Sequence, residues 1–212
     1  MKRVPIINFI RMKLFSKILS FLFHPMLMPT LGIFFILNSG NHHAFLPFEI
    51  KRLVYIIVFT STCLLPVSLL PLFLQIKLIK SFEMETARER VYPALTSAAF
   101  FLLGYFLLTR LNVSVLIETF LLSSLVAILI SVAISFFWKI SLHTLAVGGV
   151  SGLIVALMFK YGIDLLSLLS LMIVISGLVA MARLYLNAHS PFQIYAGYFL
   201  GLIIVGSGIM LI

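Results

Sequence analysis

The sequence predicts an all-α integral membrane protein, a multi-pass bundle of about six to seven transmembrane helices. Of its 212 residues, 62% are hydrophobic and only 10% are charged, whereas an average soluble domain is roughly 45–50% apolar and about 25% charged. Apolar runs near the length of about 20 residues that a transmembrane helix needs follow one another with short polar breaks. The runs lack the alternation of a β-barrel, and helices satisfy their own backbone hydrogen bonds in hydrocarbon.

Seven runs are predicted as crossings, and together they form one membrane domain over residues 1–212. They cover residues 18–37, 53–76, 93–109, 113–137, 141–159, 164–182 and 192–212. Pro25 and Pro29 interrupt the first run, so a kinked or half-inserted segment explains it equally well. The break between the fourth and fifth runs is inferred from length, because one helix over 113–159 would be about 70 Å long, roughly twice the hydrocarbon thickness.

Charge and cysteine content limit the classes of function. The formal net charge is +9, but the basic residues lie in breaks between apolar runs, where anionic lipid head groups lie. We therefore expect contact with the lipid bilayer of the cell membrane and no binding of nucleic acid. Cys63 lacks a partner, and His42-His43 has no acid or cysteine beside it, so neither a metal nor a cofactor is predicted. No cleavage site of a signal peptide is expected, because no small-residue motif follows the first hydrophobic run.

Three polar clusters carry the residues that could perform chemistry. They are Lys77, Lys80, Arg88, Arg90 and Pro93; Lys139, Ser141 and His143; and Arg183, His189, Ser190 and Gln193. Counting crossings places all three clusters on one face of the membrane. Cations, imidazoles and a hydroxyl gathered at one end of a bundle suit an anionic substrate, with histidines available for proton transfer or attack near neutral pH.

Local patterns in the last two clusters favour phosphate. Ser190 and Pro191 are good residues for the N-cap and first turn of the last helix, so His189 is predicted to lie beside that helix N-terminus. Unpaired amides there favour an anion, and the planar guanidinium of Arg183 can hold two phosphate oxygens. Ser141 is likewise a candidate cap with His143 in the following turn. The alternative is that these clusters are interfacial residues that snorkel to head groups.

These residues resemble the motifs of the type 2 phosphatidic acid phosphatases. The third motif of that family is Ser-Arg, five residues, His, three residues, Asp; here Ala182-Arg183, His189 and Gln193 have the same spacing. The second motif, Pro-Ser-Gly-His, resembles Ile140-Ser141-Leu142-His143. The first, Lys, six residues, Arg-Pro, is only echoed by Lys80, Arg88, Arg90 and Pro93. The resemblance covers about residues 77–201, the expected phosphatase-like core.

The resemblance implies roles for individual residues in hydrolysis of a phosphorylated lipid. His189 would be the nucleophile that takes the phosphoryl group, and His143 the acid that protonates the leaving alkoxide. The residues implied to bind the phosphoryl oxygens are Arg183, Ser141, one of Arg90 or Arg88, and Lys80. Gln193 stands where the family has the aspartate that orients the nucleophile, and it can accept a hydrogen bond but brings no negative charge.

Two alternatives remain open at this point. The substitution at Gln193 favours a non-catalytic relative that binds phosphorylated lipid, although Glu83, Glu85 or Glu89 could supply the missing carboxylate. A small transporter is the other alternative, with Glu118 and Arg110 lining a polar path across the bundle.

Overall fold

A computed structural model of the chain describes residues 6–40, 46–81, 84 and 86–212, with the side chains of 6–9 and 87–88 outside that description. His42-His43, Glu83 and Glu85 therefore lie outside the described residues. The described part contains eight helices, which we number α1 to α8: Ile6–Leu22, Met28–Asn38, Phe48–Gln75, Ala87–Arg110, Val115–Ser135, Leu142–Tyr161, Leu166–Tyr185 and Pro191–Met210. Helix α3 contains a π-helical turn at Thr60–Leu64.

Helices α3 to α8 are each long and apolar enough to cross a membrane. Many large apolar side chains on these helices point outward, including Leu102, Phe106, Ile173, Phe199 and Ile203. Such surfaces belong against lipid rather than water, because hydrocarbon removes the cost of exposing them. The prediction of an all-α, multi-pass membrane bundle is confirmed.

The apolar run at residues 18–37 is not one continuous helix, in agreement with the interrupted segment that Pro25 and Pro29 predict. The chain leaves the helix after Leu22 and re-enters it at Met28, because Pro25 and Pro29 lack the N–H groups that a continuous helix would use. Helix α2 has 11 residues, about 16 Å of length, and alone is too short for a hydrocarbon core of about 30 Å. The hydroxyl of Thr62 donates to the Met26 carbonyl at 3.2 Å, which ties the break to the π-helical turn of α3.

Helices α6 and α8 form the most closely packed pair and run parallel to each other. At their N-terminal ends the Ser141 N–H donates to the Gln193 carbonyl at 3.3 Å, and at their C-terminal ends Lys160 Nζ donates to the Ile209 carbonyl at 3.0 Å. Glycines allow this approach: a Cβ at Gly201 would overlap the Leu145 carbonyl, and one at Gly197 would lie 2.6 Å from the Ser141 carbonyl. These small residues therefore serve close packing of the two helices.

The starts of α4, α6 and α8 meet at one end of the bundle, which we call the polar end. Arg90 in the first turn of α4 contacts His189 just before α8, and α6 contacts α8 at Ser141. The C-terminal end of α1 reaches the same place, where Ser20 contacts Arg183 at the end of α7. All three polar clusters of the sequence therefore contribute residues to one end of the protein.

Candidate functional site

A cavity of about 840 Å³ opens at the polar end and is lined by residues of α1, α2 and α4 to α8. The charged and imidazole side chains that line it are Lys13, Lys17, His24, Arg90, Lys139, His143 and Arg183. Its inner part is apolar and includes Phe101, about three turns further along α4 than Arg90, together with Phe120 and Val205. The cavity thus pairs a cationic entrance region with an apolar interior, which suits a ligand with an anionic head and a hydrocarbon tail.

His189 is held by a chain of hydrogen bonds that defines its tautomer. Its Nδ1 lies 3.1 Å from Gln193 Oε1, and the same oxygen accepts the Ser190 N–H at 3.1 Å in the capping box of α8. Since that oxygen is an acceptor, Nδ1 must carry the proton and donate it. The lone pair of His189 therefore resides on Nε2.

Arg90 connects His189 to the cavity. Its Nη1 donates to His189 Nε2 at 3.1 Å, and its Nε donates to the Met84 carbonyl at 2.9 Å. His189 is only 7% exposed, whereas Arg90 lines the cavity wall. The guanidinium of Arg90 thus separates His189 Nε2 from the cavity, and an anion that drew Arg90 toward itself would uncover this nitrogen.

The surroundings keep His189 uncharged. Burial is the largest cause and the positive charges of Arg90 and Arg183 add to it, so that the pKa of His189 falls to about 3; the hydrogen bond to Gln193 acts in the opposite direction. An imidazole with this pKa is neutral near pH 7, and its Nε2 keeps a lone pair, which accepts the Arg90 N–H. A bound phosphate would bring negative charge beside the ring and would raise this pKa again.

His143 is oriented by the C-terminal end of α1. Its Nε2 lies 3.1 Å from the Ser20 carbonyl, and a carbonyl can only accept, so Nε2 donates its proton there. Arg183 Nη1 donates to the hydroxyl of the same Ser20 at 3.4 Å. Arg183 and His189 both interact electrostatically with His143. Nδ1 is the nitrogen of His143 that remains available to exchange a proton in the cavity.

His24 adds a third imidazole, in the break between α1 and α2. Its ring meets the His143 ring edge to face, with centroids 5.4 Å apart, and its Nδ1 accepts the Met26 N–H at 3.4 Å. Burial, and then the charge of Arg183, lower the pKa of His24. Pro25 follows the end of α1 and leaves the His24 ring beside the cavity.

Other predicted site residues lie away from the cavity wall. Ser141 is fully buried, and its hydroxyl accepts the Thr144 N–H at 3.4 Å as the N-cap of α6, so the structure does not bring it to the cavity. Lys80 is exposed in the segment before α4 and is absent from the described lining. The side chain of Arg88 lies outside the described part of the chain. Of the two candidate arginines in this cluster, Arg90 therefore has an observed contact to His189.

Sequence analysis missed several lining residues that come from the first 24 positions. Lys13, Lys17 and Ser20 lie on one stripe of α1, and the sequence offers only their spacing of four and three residues as a signal. Lys139 was named in a cluster but given no role, and it lines the cavity and acts electrostatically on His189. None of these positions falls within the motifs that carry the family resemblance.

Of the carboxylates considered in the sequence, the structure describes Glu89 and Glu118, and neither contacts a histidine. Glu89 accepts the Thr86 hydroxyl at 3.0 Å at the start of α4. Glu118 lies in the first turn of α5, and Arg110, at the far end of α4, is stacked over the Phe106 ring at 4.8 Å. Neither Glu118 nor Arg110 is part of the described cavity lining. Within the described residues, no group of three or more His, Cys, Asp or Glu is placed to hold a metal ion.

Comparison with protein-family models, with curated proteins and with solved structures finds no match for this chain.

Proposed function

We propose that this protein is a phosphohydrolase of the cell membrane, similar to type 2 phosphatidic acid phosphatases, which removes phosphate from a lipid phosphate or lipid diphosphate. One observation carries the proposal, the position of His189 Nε2. The hydrogen bond to Gln193 keeps the proton of the neutral ring on Nδ1, so the lone pair of Nε2 faces the Arg90 guanidinium. That guanidinium lines a cavity with a cationic entrance and an apolar interior. A nucleophile, phosphate-binding cations and space for a hydrocarbon tail are thereby adjacent.

In the first step, the phosphoryl group enters between Arg90 and Arg183. Its oxygens replace Nε2 as acceptors of the Arg90 N–H groups, and the lone pair of His189 Nε2 attacks phosphorus. The N–P bond forms as the P–O bond to the lipid breaks, while Nδ1 of His143 takes the proton of a phosphate monoanion and passes it to the leaving oxygen. The arginines stabilise charge on the phosphoryl oxygens, the main task of a protein in phosphoryl transfer.

In the second step, water attacks the phosphohistidine. Nδ1 of His143 accepts a proton from that water, the N–P bond breaks with its electrons returning to Nε2, and the departing phosphate takes the proton from Nδ1. Phosphate leaves, and both histidines regain their starting protonation states. His143 thus acts first as acid and then as base.

Gln193 performs part of the work of the family's aspartate. Its Oε1 holds Nδ1–H and so fixes the tautomer and orientation of the nucleophile. It provides no negative charge to stabilise the imidazolium that forms as the N–P bond is made, and this predicts a slow enzyme. The comparison has a precedent in another His-Asp pair, where loss of the charge cost about 10⁴ in rate, chiefly through the wrong tautomer.

The second candidate function is binding of a phosphorylated lipid without turnover. It is favoured by the same Arg90–His189 bond at 3.1 Å, because in this state the guanidinium occupies the lone pair that catalysis needs. If Arg90 stays bound to His189 Nε2 while Arg90 and Arg183 bind phosphate, the protein would bind phosphorylated lipid but would not hydrolyse it.

Phosphate release from a panel of ³²P-labelled lipid phosphates and diphosphates, by the purified protein in neutral detergent, tests the proposal. We expect slow release, together with a labelled protein intermediate that is stable in alkali and labile in acid, as a phosphohistidine is. Arg52→Gln, a change in an exposed arginine that pairs with Glu49, is the control and should behave like the parent. Saturable binding of the lipids with neither release nor label would reject the hydrolase and support the binding protein.

A further inference from the structure

We propose that Lys13 and Lys17 of α1 form a second anion subsite in the cavity, which takes a second phosphoryl group and makes lipid diphosphates better substrates than lipid monophosphates. The proposal rests on the function proposed above and specifies the substrate class of the same cavity. It arises from a part of the chain, α1, to which the motifs assign no role.

The placement of the two lysines is fixed by the helix. Lys13, Lys17, Ser20 and Phe21 all line the cavity, and a spacing of three to four residues puts them on one stripe of α1. Ser20 is where α1 meets the primary site, since it contacts both His143 and Arg183. Lys17 lies about one turn, or roughly 5 Å, before Ser20, and Lys13 about one turn further. The lysines therefore extend the row of cations that begins with Arg183.

The charge in the cavity exceeds what one phosphate monoester neutralises. The described lining includes five cations and no Asp or Glu; the cations are Lys13, Lys17, Arg90, Lys139 and Arg183. A phosphate monoester carries about −1.5 to −2 at pH 7, which the two arginines already match. A second phosphoryl group adds the negative charge that the α1 lysines would neutralise.

A comparison with the neighbouring Arg11 distinguishes an anion subsite from a basic helix that only binds the membrane surface. Arg11 is exposed on the same helix but is not among the lining residues. A charge that only attracts α1 to anionic lipid should work equally well at positions 11, 13 and 17. A subsite uses only the two lysines that face the cavity.

The subsite also fits the chemistry of a diphosphate. His189 Nε2 attacks the terminal phosphorus, the bridging P–O bond breaks, and its electron pair stays on the bridging oxygen of the lipid monophosphate that leaves. That leaving group is an anion which requires no proton from His143. Lys13 and Lys17 would stabilise the charge that develops on it, a contribution absent for a monoester.

The test compares an alkyl diphosphate and an alkyl monophosphate with the same tail, in neutral detergent. In the double variant Lys13→Gln/Lys17→Gln we expect the ratio of kcat/KM, diphosphate over monophosphate, to fall about tenfold, from the loss of two partly exposed charge interactions. Arg11→Gln should leave the ratio unchanged. An unchanged ratio in the double variant, or an equal loss for both substrates, would overturn the subsite.

A binding measurement separates this proposal from the hydrolase proposal. Calorimetric titration with methylenediphosphonate and with orthophosphate needs no turnover; the parent should prefer the diphosphonate, and the double variant should lose that preference. If no lipid is hydrolysed, but the parent prefers the diphosphonate and the double variant does not, the subsite proposal stands and the hydrolase proposal fails. Equal preference in parent and variant, or an effect of the lysines seen only in vesicles with anionic head groups, would overturn the subsite.

Discussion

The two ends of the bundle have similar cations but use them differently. At the end opposite the cavity, Arg52 pairs with Glu49 at 3.3 Å, Arg110 is stacked on Phe106, and Lys160 donates to the last carbonyls of α8. These are ordinary contacts of charged residues at helix ends and at the membrane interface.

At the polar end, Arg90 and Arg183 are half-buried and lie near imidazoles. Arg90 donates to His189, and Arg183 donates to the residue whose carbonyl orients His143. The described cavity lining has no carboxylate to neutralise them. A basic residue in a membrane protein thus indicates a functional site when it interacts with a histidine at a cavity. It gives no such indication when its partner is an acid, an aromatic ring or a helix terminus.

The largest difference in activity between substitutions at the two ends should appear when the proposed nucleophile, His189, is removed. His189→Asn should abolish the labelled intermediate and reduce single-turnover phosphate release by a factor on the order of 10⁴ or more, since Nε2 is the atom that bonds phosphorus. Arg52→Gln at the opposite end should retain both signals. A label that persists in His189→Asn, in protein with unchanged thermal unfolding, would assign the nucleophile to another residue.

The arginines should give the next largest effect. Arg90→Gln and Arg183→Gln should each lower kcat by about 10²-fold, because each removes a fixed donor to the phosphoryl oxygens. Arg110→Gln, which only loses its contact with the Phe106 ring, should stay within about twofold of the parent. Initial rates on one lipid monophosphate at saturating concentration measure this. If all three substitutions cost the same, the polar end has no special electrostatic role.

His143 should show an effect that depends on the leaving group. His143→Asn should slow hydrolysis of an alkyl phosphate by about 10²-fold and of p-nitrophenyl phosphate far less, because an alkoxide needs a proton and a nitrophenolate does not. Rates over a series of leaving groups give the slope that distinguishes the two cases. A loss of equal size for every leaving group would mean that His143 only binds phosphate or supports the fold.

Gln193 should give the smallest effect, visible mainly as a change in pH dependence. His189 has a pKa of about 3, so it loses its lone pair to a proton only at low pH, and kcat/KM should show no acid limb from it above about pH 5. Gln193→Asp places a carboxylate beside Nδ1, which favours the charged imidazolium and raises this pKa. The acid limb should therefore move to higher pH, with a small gain in kcat near pH 7.

The profile of kcat/KM from pH 4 to 8, measured for the parent and Gln193→Asp, checks both statements. An acid limb that moves to lower pH contradicts the assignment of Gln193 as the partner of Nδ1. Activity that falls near pH 7 would indicate that the carboxylate competes with substrate for Arg183.

Sequence patterns were sufficient where one strong physical constraint acts locally. The lengths of the apolar runs predicted the positions of α3 to α8, because a chain that crosses hydrocarbon forms helices of about that length. Ser190 with Pro191, and Ser141 before α6, were predicted as helix starts, and both helices begin there. Crossing parity was enough to place Arg90, His143 and Arg183 at one end, even though the first apolar run is interrupted.

Tertiary structure alone decided which polar residues meet. Nothing local in the sequence indicates that the break at Pro25 turns His24 toward His143, or that Ser20 contacts both His143 and Arg183. Ser141 shows the converse, since its motif implied a phosphate contact and its packing between α6 and α8 buries it completely. The sequence by itself determined a multi-pass bundle with a cationic end, because burial in lipid depends on composition and length. Which cations face the cavity depends on contacts between distant helices, and a local sequence pattern does not encode those contacts.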